Sequence, residues 1–144
     1  MKIFPKFLIF GLFILSCTAI NKSGALRIPE DAKDVRILNR AEFSQKSDPI
    51  NIKFAQQSGD YIVFDVSYSG GCAEHTFDLV TMGAFSATYP PEVEISLKHN
   101  NNGDGCRSVI DQKLYFNISQ LKYDGTARVL LIIKNTDKTL EYNY

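Results

Sequence analysis

The chain of 144 residues carries 16 basic and 16 acidic side chains, so it has no excess positive charge with which to hold a polyanion, and a nucleic-acid binder is excluded on that ground. With 44% hydrophobic and 22% charged residues it is composed like a globular protein rather than a disordered one, and its length suits one domain. Trp is absent, so any stacking surface must come from the 7 Tyr and 10 Phe.

Residues 1–16 read MKIFPKFLIFGLFILS. Lys2 and Lys6 make a basic start, and residues 7–15 form an apolar run too short to span a bilayer. This is an export signal. Ile14-Leu15-Ser16-Cys17 resembles the lipobox of bacterial lipoproteins. That resemblance implies a diacylglycerol on the Cys17 sulfur, cleavage on its N-terminal side and acylation of the new amine. Two or more acyl chains anchor a protein stably, whereas one does so marginally. Thr18 follows in place of an Asp, which points to the outer membrane of a Gram-negative cell. Residues 17–34 then read as a lipidated cysteine and a polar tether containing Pro29, and residues 35–144 as the folded domain.

Residues 35–43 mix apolar and charged positions and predict a short helix or an irregular first strand. Ser47-Asp48-Pro49 ends that element. Residues 50–56 alternate, with Ile50, Ile52 and Phe54 on one face. Beyond a turn at Ser58-Gly59-Asp60, residues 61–69 alternate again, with Ile62, Phe64, Val66 and Tyr68 inward, so the two form a hairpin. Gly70-Gly71 closes the strand. Cys72-Ala73-Glu74-His75 follows, and residues 75–81 resume with Phe77 and Leu79 on one face. Tyr89-Pro90-Pro91 prevents regular pairing. Residues 93–99 place Val93, Ile95, Leu97 and His99 on one face.

The loop NNNGDG at 100–105 leads to Cys106 and a further extended run, expected to break at Asp111-Gln112, with Leu114, Phe116 and Ile118 inward. Residues 119–124 offer room for one helical turn. The run Val129-Leu130-Leu131-Ile132-Ile133 predicts a central strand buried on both faces, and residues 139–144 a last strand with Leu140, Tyr142 and Tyr144 in phase. Turns recur every eight to twelve residues or so, the rhythm of a sandwich. The fold class is all-β: a seven- or eight-stranded antiparallel β-sandwich, immunoglobulin-like in general architecture.

With Cys17 lipidated, Cys72 and Cys106 are the remaining cysteines, and an oxidising compartment makes a disulfide the default. Closing a loop of that length contributes roughly 4 kcal/mol in the chain-entropy picture. A second arrangement uses Cys72, His75, His99 and Cys106 as four ligands of a tetrahedral zinc, although His99-x6-Cys106 is not a zinc-finger spacing. A third keeps the disulfide and lets His75 and His99, with Asp104 or Glu74, hold a surface metal. A Cys72 nucleophile with His75 as base needs a free thiol, which Cys106 opposes. Both histidines read more readily as hydrogen-bonding groups that fix the glycine loops than as catalysts. No phosphate loop, HExxH or GxSxG occurs, so an enzyme ranks last.

The runs SGGCAEHTFDLV and PPEVEISLKHNNNGDGCRS, with the strand near Val129, resemble small secreted lipoproteins of Bacteroidota, including the C-terminal region of NigD-like proteins. The matching residues are Gly70, Gly71, Cys72, His75, Phe77, His99 and Cys106. The resemblance implies an outer-membrane lipoprotein with a β-sandwich and a Cys72–Cys106 disulfide, and no established chemistry. On its length, the chain is not expected to contain the extra N-terminal β domain of longer members.

The expected function is a lipid-anchored accessory or binding module of the cell envelope, without catalytic activity or cofactor. It would contact the lipid bilayer through its acyl chains and bind an envelope protein or a glycan. A glycan calls for exposed aromatics, with Tyr68, Tyr89, Tyr123 and Tyr142 as candidates; a protein calls for an apolar patch or an open sheet edge. The alternative is a zinc-binding or metal-dependent protein centred on His75 and His99.

Overall fold

A computed structural model describes residues 27–144. The signal segment 1–16, the lipidation site Cys17 and the tether up to residue 26 lie outside the described residues. The elements in chain order are β1 (Lys33–Asp34), β2 (Arg36–Ile37), α1 (Arg40–Phe43), β3 (Asn51–Ser58), β4 (Tyr61–Gly70), β5 (Thr76–Phe85), β6 (Glu92–Asn100) and β7 (Ser108–Asn117). A 3-10 turn at Ser119–Leu121 follows, then β8 (Arg128–Ile133) and β9 (Thr139–Asn143).

Two sheets make the sandwich, one in the order β1-β7-β4-β3 and the other β2-β5-β6-β8-β9. The seven longer strands, β3 to β9, lie where the sequence predicts extended runs. Pairing is antiparallel for β3–β4, β4–β7, β5–β6 and β8–β9. It is parallel for β1–β7, β2–β5 and β6–β8, a departure from a wholly antiparallel sandwich. Parallel neighbours need a crossover, and β7, lying in the opposite sheet, supplies it between β6 and β8.

The segment before β3 joins both sheets. Lys33 and Asp34, expected in the tether, pair with Phe116 and Asn117. Two residues later Arg36 and Ile37 pair with Val80 and Thr81. Val35 is buried between them, and its N–H donates to Asn117 O at 2.9 Å. The helix that follows is a single turn held by a capping box: Glu42 N–H donates to Asn39 Oδ1 (3.0 Å), and Asn39 N–H to Glu42 Oε2 (3.3 Å). It buries Phe43, with Lys134 Nζ 4.3 Å from the ring centroid. Residues 35–43 thus contain both the strand and the helix between which the sequence leaves a choice.

Three expectations need correction. The pairing of β3 with β4 shifts between Ile52 and Phe54, which inserts an extra residue and flips the strand's phase. Phe54 therefore points outward, 57% exposed, and Ala55 enters the core. Strand β7 pairs with β4 without interruption from Ser108 to Asn117, so Asp111-Gln112 does not break it. In β8, Val129, Leu131 and Ile133 face the core, while Leu130 and Ile132 are half-buried, because the outer face of that sheet carries no full second layer.

The register brings the functional loops together. Strands β4 and β7 end at the pair Gly70–Ser108, and β5 and β6 at the pair Thr76–Asn100. The β4–β5 and β6–β7 connections therefore leave the same end of the sandwich, one from each sheet.

Candidate functional site

The two connections are joined covalently. Cys72 and Cys106 form a disulfide, their Cα atoms 5.9 Å apart and their positions 34 residues apart in sequence. Beneath it lies Asp104, whose side chain is 0% exposed. Its Oδ2 accepts the N–H groups of Gly71 (2.8 Å), Cys72 (2.9 Å) and Ala73 (3.0 Å), and its Oδ1 accepts that of Cys106 (2.8 Å). Gly71 has φ +118°, a conformation open to glycine, and it lets consecutive N–H groups converge on one oxygen. The N–H groups of Cys106, Cys72 and Ala73 hold the carboxyl well below the usual carboxylate range; burial opposes them and His75 assists.

The histidines extend this cluster into the core. The His75 side chain is 2% exposed, with Nε2 3.2 Å from Asp104 Oδ2 and Nδ1 2.8 Å from His99 Nε2. His99, 4% exposed, has Nδ1 3.0 Å from the carbonyl oxygen of Pro49. Phe77 stacks on His99 with centroids 4.9 Å and planes 6° apart. Tyr68 lies 4.7 Å from the His75 ring and 5.1 Å from the His99 ring. Its hydroxyl donates to Gln112 Oε1 at 2.8 Å, and burial raises its pKa. Gly70 is required for space: a Cβ there would meet His75 Cε1 and Nε2 at 2.6 Å.

The fold thus gathers Tyr68, Cys72, His75, His99 and Cys106, and of the two carboxylates named with the histidines it brings in Asp104. Glu74 is exposed and contributes its carbonyl, which accepts from Asn102 Nδ2 at 2.6 Å. The ligand atoms of Cys72, Asp104 and Cys106 lie within 4.8 Å of one another, but the sulfurs are bonded to each other and the carboxylate is filled by backbone donors. The four-ligand zinc geometry does not fit: both thiols are consumed, and each imidazole nitrogen sits at hydrogen-bond distance from another group. A surface metal does not fit either, because the rings are buried.

The other aromatic candidates lie at the opposite end. Tyr89 is 81% exposed and Tyr123 is also exposed. Tyr142 is fully buried, with its hydroxyl donating to Asp60 Oδ1 at 2.6 Å; burial, then Asp60, raise its pKa. Tyr142 is therefore no glycan platform, whereas Tyr68 is half-buried, with its ring against the two histidines. Sequence reasoning missed the roles of Pro49 and Asp60. Neither has a local signal, because each acts on a residue distant in the chain.

No protein-family model matches the chain, and no curated protein does. Among solved structures, a protein of unknown function, DUF1344, from Bacteroides vulgatus superposes with TM-score 0.55 at 17% identity, over 78% of this chain and 56% of that one. A NigD-like immunity protein from Bacteroides caccae gives TM-score 0.54 at 13% identity, over 77% of this chain and 58% of that one. The chain spans less than two thirds of either neighbour. At such identities the match concerns the fold, and there it agrees with the sequence: the chain that resembles NigD-like proteins in its GGCxxH and HNNNGDGC segments also has the β-sandwich of a NigD-like protein.

Proposed function

We propose that the protein is a lipid-anchored, non-catalytic module of the cell envelope that binds an envelope protein. One observation carries the non-catalytic part. The cluster of Asp104, His75 and His99 has the composition of an acid–base site, yet both carboxylate oxygens and all four ring nitrogens are engaged internally. Its side chains are also shielded from solvent, so no group is left to meet a substrate. The exported start and the lipobox-like Ile14-Leu15-Ser16-Cys17 support the anchor. A protein partner accords with the exposed side chains Phe54 and Tyr89, and with the description of the Bacteroides caccae neighbour as an immunity protein.

The test uses the full chain, produced in a bacterium fed an alkyne-tagged palmitate. The wild type is expected in the membrane fraction and labelled, and Cys17→Ala unlabelled and soluble. An unlabelled, soluble wild type refutes the anchor. A photo-crosslinking residue at position 89 or 54 is expected to give an adduct with an envelope protein in intact cells. Adducts at neither position, with retention on envelope glycan, would reassign the partner.

A further inference from the structure

The chain of contacts Asp104–His75–His99–Pro49 has a proton requirement that two neutral histidines do not meet. Pro49 O can only accept, so His99 Nδ1 must carry a proton. Asp104 is a carboxylate, its oxygens filled by four backbone N–H donors, so His75 Nε2 must carry one too. The 2.8 Å contact between His75 Nδ1 and His99 Nε2 needs a third. Two neutral imidazoles hold two ring protons. In every neutral arrangement at least one contact sets lone pair against lone pair: at 3.2 Å against the carboxylate, at 2.8 Å between the rings, or at 3.0 Å against Pro49.

We propose that His75 and His99 together hold three ring protons at neutral pH, forming a shared imidazolium buried against the Asp104 carboxylate, and that this proton locks the segment before β3 to the disulfide-bearing loops. The charges balance: one positive dyad faces one carboxylate, the condition under which a buried charge is tolerated. The surroundings leave the pairing to these groups. From β4, Tyr68 presents its ring, and its hydroxyl is held by Gln112 of β7. From β5, Phe77 presents an apolar face, and its carbonyl accepts from Lys33 Nζ. Asp48, beside Pro49, directs Oδ2 to the N–H of Asn101. Lys98, adjacent to His99 on β6, donates on the opposite face to Phe43 O. Glu74 is exposed beside His75.

The lock spans three segments. His99 is buried and takes up Pro49, while His99 N–H donates to Ser47 Oγ at 2.8 Å and Asp48 N–H to His99 O at 2.9 Å. Loss of the third proton leaves the buried carboxylate without its counter-charge and breaks one link, so the lock weakens as pH rises.

The chain contains 2 histidines, so its imidazole NMR spectrum reports this network alone. The experiment is a long-range 1H–15N correlation on the 15N,13C-labelled full chain at neutral pH. Three protonated ring nitrogens out of four are expected, with the Asp104 carboxyl carbon in the ionised range. Two protonated nitrogens, one per ring, would overturn the proposal, as would a protonated Asp104. Raising the pH until the third proton leaves is expected to lower the amide-exchange protection of Gly71, Cys72 and Ala73 relative to Val129 and Leu131 in β8. Unchanged relative protection would leave the proton without a locking role and overturn that part.

Discussion

The two ends of the sandwich are built from different materials. At one end the loops after β4 and β6 are rich in glycine and asparagine and bring almost no apolar side chains of their own. They are held by a disulfide, by a buried carboxylate filled with backbone N–H groups, and by two stacked histidines. At the other end Phe85 packs on Tyr123, Tyr142 on Tyr144, and Tyr142 reaches Asp60. Where a loop supplies aromatics, burial of area fixes it and surface remains for contact. Where a loop supplies only polar groups and glycine, order must come from covalent and charge-assisted bonds, which occupy those polar groups.

The largest effect that tests this contrast is removal of the disulfide. Cys72→Ala with Cys106→Ala is expected to cost about 3–4 kcal/mol of unfolding free energy, read from urea denaturation of the full chain. Only a small loss would show that Asp104 holds the loops unaided. Gly70→Ala comes next, at about 1–3 kcal/mol, because the added methyl drives the pinned His75 ring from Asp104. Gly105→Ala, where a Cβ would meet nothing within 4 Å, is its control and should change thermal stability by less than about 0.5 kcal/mol. At the aromatic end Tyr142→Phe is expected to cost about 1 kcal/mol, since it removes one hydrogen bond to Asp60 and leaves packing intact. Tyr89→Ala should leave stability within about 0.5 kcal/mol of wild type while weakening partner crosslinking.

Acid sharpens the same comparison. Asp104 has a depressed folded pKa, set first by the Cys106, Cys72 and Ala73 N–H groups. Its contribution is therefore complete above the ordinary carboxylate range and is lost as pH falls through the folded value. Asp60 shifts in the same direction, through Lys122 and then Tyr142. Amide exchange followed to about pH 2, below ordinary carboxylate titration, is expected to stay slow at Gly71–Ala73 after the Asp60 contacts loosen. The reverse order would contradict the four-donor account of Asp104.

Much of the fold was legible because inward phases repeat with period two. Ile62, Phe64 and Val66 of β4, and Val93, Ile95 and Leu97 of β6, all face the core as their alternation predicts. Phe54 was misread because a bulge leaves no mark in hydropathy. The parallel pairings were misread because alternation reports a strand's faces and says nothing about its neighbour's direction. In the site, Cys72, His75, His99 and Cys106 stood out as rare residue types beside glycine-rich turns. Asp104 stood out as a candidate partner of the histidines, but as a metal ligand rather than an acceptor of backbone N–H groups, and Pro49 read as a breaker.

The sequence by itself determined the class of fold and the inward phase of His99, because each follows from local periodicity and composition, and its cysteine count behind an export signal gave the expectation that Cys72 and Cys106 pair. Tertiary structure alone decided that Asp104 is filled by Gly71, Cys72, Ala73 and Cys106, that His75 meets His99, and that His99 meets Pro49. Those contacts join residues far apart in the chain, and their geometry exists only after two sheets have packed and brought four strand ends together.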